Sequence, residues 1–336
     1  MRLRALAWAL LLLPVAAAAG PAFVDDGGRS VDLPPAVARV VPAGPPAQAD
    51  LAILAPGKLA GLVKALDPDA AALLPPGLGA LPVIGRLTQH GGPGDLGPLR
   101  RAAPDLVVDI GSIDRRYAAL ADQVQAASGI PYILVAGGMA DSAATFRKLG
   151  GVLGVPDRAE ALARYADETL ALVRARVAQV PPAMRPAIYL AREKDGLQTG
   201  PAGSINAEVL ALLGARNVAE GDGRMLLPVT LDQIAQWRPD VILANDPAFH
   251  GAALADPAWQ HLDAVKAGRF YLAPALPFGW IDEPPAANRL IGLRWLGKLL
   301  YPTLFPEDIR AEIRAFYALF YGVRLRDEQL DRLLAP

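Results

Sequence analysis

Arginine and aromatic side chains follow several segments that we predict as strands in this 336-residue chain. Ligands of open parallel sheets bind outside the carboxyl ends of the strands, so these loops are where chemistry is expected first. Guanidinium groups suit anionic oxygens, and aromatic rings offer flat apolar walls to a large ligand. The residues so placed are Pro42–Pro46, Arg86, Arg115, Arg116 and Tyr117 in the first half, and Arg192, Lys194, Phe249, Phe278 and Trp280 in the second.

Together these side chains predict a groove for a large ligand that presents anionic oxygens. A simpler interpretation exists for each residue, because a single arginine is often a solvated surface side chain. Of Arg115 and Arg116, we expect at most one to face a cleft. Trp280 has equal claims to a cleft wall and to a hydrophobic core.

Three histidines, His90, His250 and His261, offer a different chemistry. Histidines with a carboxylate can hold a bare Zn²⁺ ion, and His90 and His250 both follow strand-like segments. A lone histidine is more often an ordinary loop or surface residue. A carrier of bare Zn²⁺ or Mn²⁺ that uses His90 and His250 remains an alternative.

Sequence motifs of the common enzymes are absent. The chain has no G-x-S-x-G nucleophile elbow, no H-E-x-x-H pair and no phosphate-binding P-loop. Gly111-Ser112 and Gly203-Ser204 are simpler as turn and helix-cap serines. We therefore predict no catalytic residues and a binding protein rather than an enzyme. An enzyme acting on a chelate or cell-wall fragment is the rival, and it needs a convergent acid–base set.

Short β-branched runs alternate with Ala/Leu-rich helical stretches along the chain, which favours α/β lobes with mainly parallel sheets. Two segments, Ala103–Asp109 and Arg238–Ala244, repeat the pattern of a Pro-Asp pair followed by a buried strand. This repeat fits two lobes of related design. The predicted strands are Arg39–Val41, Leu81–Ile84, Asp105–Asp109, Tyr132–Val135, Ala187–Ala191, Asp240–Ala244 and Arg269–Ala273.

A long helix is predicted between the two halves, from about Pro156 to Val180, where Pro181 ends it. At ~1.5 Å per residue it would span about 40 Å. A single rigid helix joining two lobes predicts limited relative motion, unlike a Gly-rich linker. Its apolar stripe at helical spacing consists of Leu162, Ala166, Leu170, Val173 and Val177.

The N-terminus has the three parts of a signal peptide. Arg2 and Arg4 form a basic region, Ala5–Val15 is an apolar run, and Ala16–Gly20 supplies small residues for cleavage. The run is shorter than the ~20 residues that span a bilayer. Because the chain has no Cys, it has neither disulfides nor the site for a lipoprotein anchor. We expect an untethered protein of the periplasm.

Charge and length limit the remaining possibilities. Without Arg2 and Arg4 the chain has 31 basic and 34 acidic residues, a net charge of about −3, which gives no footprint for nucleic acid or anionic lipid. The remaining length is more than one core usually serves. The predicted division is a signal peptide (1–20), an N-terminal α/β lobe (21–153), a lobe-linking helix (154–181), a C-terminal α/β lobe (182–302) and C-terminal helices (303–336).

Several longer blocks of sequence resemble a known family. They are Val108–Ser112, Pro131–Gly137, Asp195–Gly200, Gly203–Asn206, Pro277–Asp282, Pro284-Pro285, Asn288–Leu290, Gly292, Trp295-Leu296 and Leu300–Pro302. With these blocks, the chain from about Val31 onwards resembles the helical-backbone periplasmic binding proteins of iron–siderophore, haem and cobalamin ABC importers. The last block resembles a branch that binds iron or metal chelates.

The resemblance implies a ligand held in a shallow cleft between the lobes. The expected ligand is a metal chelate, with iron as the first choice of metal, and the protein itself needs no cofactor. The implied partners are an ABC permease and its ATPase subunits, and the binding protein is expected to be a monomer. The candidate ligand-binding residues are Arg192, Trp280, Arg289, Arg86, Arg116, Tyr117 and Phe249.

Members of this family dock on the permease through one acidic residue on each lobe, seven residues before the proline of each repeat. In the second lobe this position is Asp232, which keeps the charge. In the first lobe it is Gly97, and the nearest acid is Asp95. We expect Asp232 and Asp95 to be the docking residues. Asp232 also suits the N-terminus of a helix, where an acid interacts with the dipole.

Overall fold

The computed structural model describes residues 23–89, 92–221 and 226–335. The predicted signal peptide and His90 lie outside these residues. The strands are β1 Phe23–Val24, β2 Ser30–Val31, β3 Val40–Pro42, β4 Thr88–Gln89, β5 Gly92–Pro93, β6 Leu106–Gly111, β7 Tyr132–Ala136, β8 Ala187–Ala191, β9 Gln198–Thr199, β10 Arg216–Asn217, β11 Leu227–Pro228, β12 Val241–Ala244 and β13 Phe270–Leu272.

The helices alternate with these strands. They are α1 Pro45–Leu54, α2 Pro68–Ala71, α3 Gly97–Ala102, α4 Arg115–Ser128, α5 Ser142–Leu153, α6 Pro156–Val177, α7 Glu208–Leu212, α8 Leu231–Trp237, α9 Pro247–Ala255, α10 Pro257–Gln260, α11 Asp263–Lys266, α12 Arg289–Leu300, α13 Ile309–Tyr321 and α14 Asp327–Leu334.

Each lobe is built on a parallel sheet, as the α/β prediction requires. The first lobe has the order β3-β6-β7, and the second has β10-β8-β12-β13. Both sheets are covered by helices, so their strands are apolar on both faces. Six of the seven predicted strands are found within two residues of their predicted bounds.

The seventh predicted strand, Leu81–Ile84, is not a strand. Its only ladder contact is an isolated bridge between Val83 and Leu62. Pro82 lies inside the run and has no N–H to donate to a neighbouring strand, so an apolar run of four residues cannot form a ladder there.

The Pro-Asp repeat has the same structural role in both lobes. The Asp105 carboxylate accepts a hydrogen bond from the backbone N–H of Arg39 at 2.7 Å, at the start of the neighbouring strand β3. The Asp240 carboxylate accepts one from the N–H of Ala187 at 2.7 Å, at the start of β8. Each aspartate therefore fixes the backbone where the adjacent parallel strand begins, at the residue before β3 and at the first residue of β8, which explains why the pattern recurs.

Helix α6 begins at Pro156, as predicted, and ends at Val177, three residues before the predicted end. Its predicted stripe is buried, and it packs against α5 of the first lobe and α12 of the second. One continuous core includes Ile133 of the first sheet, Leu170 of α6 and Ile188 of the second sheet. A shared core of this kind holds the two lobes at a fixed separation.

The C-terminal helices complete this core. Phe316 and Phe320 of α13 stack at 4.1 Å between ring centroids, and Gly322 ends the helix in a left-handed conformation with φ 68°. Arg158 of α6 donates hydrogen bonds to the carbonyl of Phe320 at 2.7 Å and to that of Ile53 at 3.2 Å. Helix α13 is therefore tied to α6 and to the first lobe.

Candidate functional site

A cavity of about 1030 Å³ lies between the two lobes, at the carboxyl ends of the parallel strands. Its volume is at the upper end of the ~300–1000 Å³ range of small-molecule sites. The first-lobe wall contains Gly44, Pro45, Pro46, Gln48, Lys64, Asp67, Arg86, Thr88, Asp109, Ser112 and Tyr117, among others. The second-lobe wall contains Arg192, Glu193, Ile205, Asn206, Leu276, Pro277, Phe278, Glu283, Pro284 and Pro285, among others.

The first-lobe wall presents two exposed cations, Arg86 and Lys64. Neither side chain makes an ion pair or a hydrogen bond with any residue in the described part of the chain. Asp109 lies deeper, where Tyr132 donates a hydrogen bond to it at 2.8 Å. Burial raises the pKa of Asp109, while the Tyr132 hydroxyl and the nearby Arg86 lower it. Arg86 and Lys64 are therefore available to anionic oxygens of a ligand.

The N-terminus of α1 also lines this wall, but it is poor in donors. Its N-cap is Gly44, and its first two residues are Pro45 and Pro46. Proline has no N–H, so two of the backbone donors that usually make a helix N-terminus an anion site are missing here. The first-lobe wall therefore relies on side-chain cations rather than on a backbone cradle.

On the second-lobe wall, Arg192 is 6 % exposed, and each of its three guanidinium nitrogens lies beside a polar side chain. Its Nε lies 2.7 Å from Asp282 and its Nη2 lies 2.8 Å from Glu283, while Nη1 donates to the Gln198 side chain at 3.0 Å. Asn206 holds the other oxygen of Asp282 at 2.8 Å. An anionic ligand would reach Arg192 only by displacing one of these acids.

Glu283 is the partner of Arg192 that faces the cavity. Its side chain is 35 % exposed, and its backbone has a φ of 58°, a left-handed conformation that is uncommon for residues with a side chain. Burial raises the pKa of Glu283, and the neighbouring Asp282 and Glu193 raise it further, although Arg192 opposes this. Two carboxylates thus hold one guanidinium on this wall, and the Glu193 carboxylate lies near enough to Glu283 to affect its pKa.

Two aromatic candidates do not line the cavity. Trp280 is fully buried, and its ring lies 6.4 Å from that of Tyr317 in α13. Phe249 is 4 % exposed and packs at 4.9 Å against Trp259. Both follow strands, as predicted, but each is needed to fill the apolar layer beneath the loop, so the structure places them in the core.

Arg289 is also buried rather than open to the cavity. It is 2 % exposed and donates to the carbonyls of Gly137 at 2.8 Å and Ile205 at 2.9 Å, and it pairs with Glu208 at 2.7 Å. Burial lowers the pKa of Arg289, and Glu208 opposes this. Because Gly137 belongs to the first lobe and Ile205 to the second, Arg289 joins the lobes behind the cavity.

Arg116 stands apart from the other candidates. It lies exposed in the first turn of α4 and does not line the cavity, and the same is true of Arg115. Tyr117, the next residue, does line it. The helical turn that brings Tyr117 to the cavity directs its two predecessors away.

The two histidines that the structure describes, His250 and His261, do not line the cavity. His250 is 4 % exposed, lies against the ring of Phe270 and has its Nε2 3.3 Å from the Phe270 carbonyl. His261 is exposed, and His90 lies outside the described residues. Within the described ranges, no group of three or more His, Cys, Asp or Glu residues is placed to hold a metal ion.

Comparison with known proteins gives the family. The periplasmic binding protein model matches residues 97–276, which is more than half of the chain. The chain belongs to the periplasmic binding protein family. This confirms the predicted resemblance to the helical-backbone members of that family.

Two relatives illustrate the similarity in sequence. An ABC transporter solute binding protein from Sulfurospirillum deleyianum is 29 % identical, covers 94 % of this chain and 99 % of its own, and has a TM-score of 0.84. The molybdate-binding protein MolA of Haemophilus influenzae is 30 % identical over 139 residues, which are 40 % of this chain and 39 % of MolA. The matched segment thus spans about two fifths of MolA.

Solved structures extend the likeness to the whole fold. MolA bound to molybdate has a TM-score of 0.75 at 21 % identity and covers 91 % of this chain and 99 % of its own. CeuE of Helicobacter pylori in a nickel–histidine complex has a TM-score of 0.71 at 15 % identity and covers 94 % and 99 %. At these identities the two structures show the fold alone.

Periplasmic binding proteins of this kind work with an ABC permease and its ATPase, and they are binding proteins rather than enzymes. In the part of this periplasmic binding protein that the structure describes, no helix is both long and apolar enough to cross a membrane.

The enzyme alternative needs an acid–base pair in the cavity, and two acids there, Asp109 and Glu283, have raised pKa values. They lie on opposite lobes, and each is held by a different partner, Tyr132 and Arg192 respectively.

The predicted docking acids lie at related places on the two lobes. Asp232 is exposed in the first turn of α8, which Thr230 caps. Asp95 is exposed just before α3 and accepts a hydrogen bond from the N–H of Gly97 at 2.8 Å. Helices α3 and α8 are the helices that precede the two Pro-Asp repeats.

Sequence reasoning did not single out four charged residues of the site: Lys64, Glu193, Asp282 and Glu283. Asp282 is the last residue of the block Pro277–Asp282, and Glu283 follows it. Within this block, Trp280 was chosen as the candidate. The two adjacent acids before Pro284-Pro285 could have indicated the site, since binding residues often lie in loops on a rigid scaffold.

Proposed function

We propose that this chain is the solute-binding component of an ABC importer, and that it captures a metal chelate in the inter-lobe cavity for delivery to the permease. An iron chelate is the first choice, and the metal enters as cargo rather than as a cofactor of the protein. The observation that carries the proposal is the cavity of about 1030 Å³ between two lobes that share one core.

The volume of the cavity favours a metal chelate over a small inorganic ion such as an oxyanion. A tetrahedral oxyanion occupies the space of a few waters, on the order of 100 Å³ at ~30 Å³ per water. A chelate of several hundred cubic ångströms would contact both walls at once. The proline-rich loops, with Pro45, Pro46, Pro277, Pro284 and Pro285, keep these walls preformed and so reduce the ordering cost of binding.

Molybdate is the second candidate ligand. The similarity to MolA favours it, and Arg86 with Lys64 could supply cations for an oxyanion. Against it stand the size of the cavity and the missing N–H groups of Pro45 and Pro46. The binding experiment below separates the two candidates.

Delivery would use the two exposed acids, Asp232 on the second lobe and Asp95 on the first. Each would meet a basic residue of the permease.

We expect Asp232→Lys to abolish uptake of the ligand by cells while leaving its binding by the purified protein unchanged. Asp95→Lys tests the first lobe in the same way, and normal uptake by that variant would remove Asp95 from the docking surface. Export to the periplasm by cleavage after a signal peptide, without a lipid anchor, is part of the same proposal.

The test is equilibrium binding, measured by calorimetry on the purified protein without residues 1–20. The probes are ferric hydroxamate and ferric catecholate siderophores, haem, cobalamin, nickel–histidine and molybdate. Ala65→Trp places an indole on an exposed position of the cavity wall, and Ala252→Trp places one on an exposed position of α9 away from it.

We expect one class of metal chelate to bind to the wild type and to Ala252→Trp, but not to Ala65→Trp. Tight binding of molybdate alone would favour the second candidate. Binding of no probe, or binding that Ala65→Trp leaves intact, would contradict the proposed use of the cavity.

A further inference from the structure

The two walls of the cavity carry charge of opposite character. On the first-lobe wall, the cations Arg86 and Lys64 face the space and have no side-chain partner among the described residues. On the second-lobe wall, Arg192 is the only described cation, and it pairs with Glu283 and with Asp282 beneath it, while Glu193 lines the wall as a further acid. The unpaired cations therefore lie on one side of the cavity, and the excess of acid lies on the other.

The first-lobe wall also carries two acids, Asp67 and Asp109, and each is held by a partner other than Arg86 and Lys64. Asp67 is occupied as the N-cap of α2, where it accepts a hydrogen bond from the N–H of Asp69 at 2.8 Å. Asp109 lies deeper and accepts a hydrogen bond from the Tyr132 hydroxyl at 2.8 Å. Neither acid forms an ion pair with Arg86 or Lys64 among the described residues.

The sum of charges limits the ligand as well. Among the described residues, three cations line the cavity, Lys64, Arg86 and Arg192, together with four acids, Asp67, Asp109, Glu193 and Glu283; Asp282 beneath Arg192 adds a fifth acid. The formal balance is two negative charges. A space with low-dielectric walls and an excess of acid repels a polyanion and attracts a cation.

We propose that the cavity selects a chelate with no net negative charge, which turns its anionic oxygens towards Arg86 and Lys64 and a cationic or hydrogen-bond-donating group towards Glu193 and Glu283. This inference rests on the proposed function and names its substrate class. The acid pair around Arg192 acts as an electrostatic filter, because Asp282 and Glu283 occupy the guanidinium that a free carboxylate would otherwise bind. Electrostatic complementarity of this kind decides which partners bind more than how tightly they bind.

The polarity can be measured without any ligand, because the chain has no Cys and accepts a single reporter thiol. Thr88→Cys places the thiol on the first-lobe wall, two residues from Arg86. Ile205→Cys places it on the second-lobe wall, next to Asn206, which holds Asp282. Each thiol is reacted with a cationic (trimethylammonioethyl) and an anionic (sulfonatoethyl) methanethiosulfonate, and each rate is divided by that of the neutral methyl reagent.

We expect the anionic reagent to be favoured at position 88 and the cationic reagent at position 205, with the two ratios differing at least about tenfold. Adding Glu283→Gln to Ile205→Cys should reduce the cationic preference several-fold, and Arg86→Met should reduce the anionic preference at position 88. Equal or reversed ratios at the two positions would overturn the polarity.

Specificity is tested with one chelate in three charge states. Ferrioxamine B carries a free amine, its N-acetyl derivative is neutral there, and its N-succinyl derivative ends in a carboxylate. We expect binding to weaken in that order, by about tenfold or more between the first and the last, and Glu283→Gln to narrow the gap.

A succinyl derivative that binds as tightly as the amine, or tight binding of the dianion molybdate, would overturn the proposed selectivity. If no chelate of the earlier panel binds at all, the proposed function fails, and the thiol measurement still decides whether the cavity is polar in the stated sense.

Discussion

The two lobes share a scaffold and differ in what they present to the cavity. Asp105 and Asp240 make the same contact at the start of neighbouring strands. Arg86 on one wall has no side-chain partner among the described residues, whereas Arg192 on the other is held by two acids. The repeated contact serves the fold, and it could be recognised as a repeat in the sequence. The divergent residues lie in loops, Arg86 before β4 and Arg192 after β8, where a change alters the ligand rather than the sheet.

The largest expected difference between the walls is in stability. Arg192→Met leaves Asp282 buried without its cation, so we expect a loss of about 3–5 kcal/mol in the free energy of unfolding. Arg86→Met removes an exposed cation without protein partners and should cost less than about 0.5 kcal/mol. Urea unfolding of the two variants measures both values, and equal losses would mean that the two arginines do not differ as described.

The contact between Asp50 and Ala287, behind the cavity, should make the stability of the protein depend on pH. Asp50 of α1 accepts a hydrogen bond from the N–H of Ala287 at 2.9 Å, and burial raises its pKa from 3.8 to about 6. The folded state therefore holds this proton more tightly than the unfolded chain. Protonated Asp50 thus stabilises the folded state, and this stabilisation is lost as the pH rises from about 4 to about 6. The free energy of unfolding falls by about 3 kcal/mol at most over this range, and the contribution of Asp50 is constant above it.

Asp50→Asn removes this titration. Unfolding in urea at several pH values between 4 and 7 should give curves for wild type and variant that diverge across the interval and run parallel above it. If the two curves stay parallel from pH 4 upwards, Asp50 does not titrate as the burial implies.

The smallest effect tests the shared scaffold. Asp105 accepts hydrogen bonds from two backbone N–H groups, those of Ala38 and Arg39, whereas Asp240 accepts one, from Ala187. We expect Asp105→Asn to cost about 2 kcal/mol and Asp240→Asn about 1 kcal/mol, with no change in ligand binding. Thermal unfolding gives the two costs, and a loss of binding in either variant would show that the repeat also serves the cavity.

Sequence patterns were sufficient for the scaffold and for part of the walls, since Arg86, Tyr117, Arg192 and Phe278 do line the cavity. The β-branched runs and the long helix are local signals, so β8 and α6 could be predicted from them. The apolar run Leu81–Ile84 was predicted as a strand, but Pro82 prevents it from forming one. Trp280 and Phe249 follow strands, but whether such a residue fills the core or walls a cleft depends on packing against distant helices. The ion pair of Arg192 with Asp282 joins residues 90 positions apart, which no local pattern reveals.

The most direct test of the central claim is native mass spectrometry of the protein without residues 1–20, after incubation with an equimolar mixture of the metal chelates and molybdate. The account predicts a one-to-one complex with an intact metal chelate, which Ala65→Trp loses and Ala252→Trp keeps. A complex with molybdate alone, or a chelate complex that survives in Ala65→Trp, would contradict it.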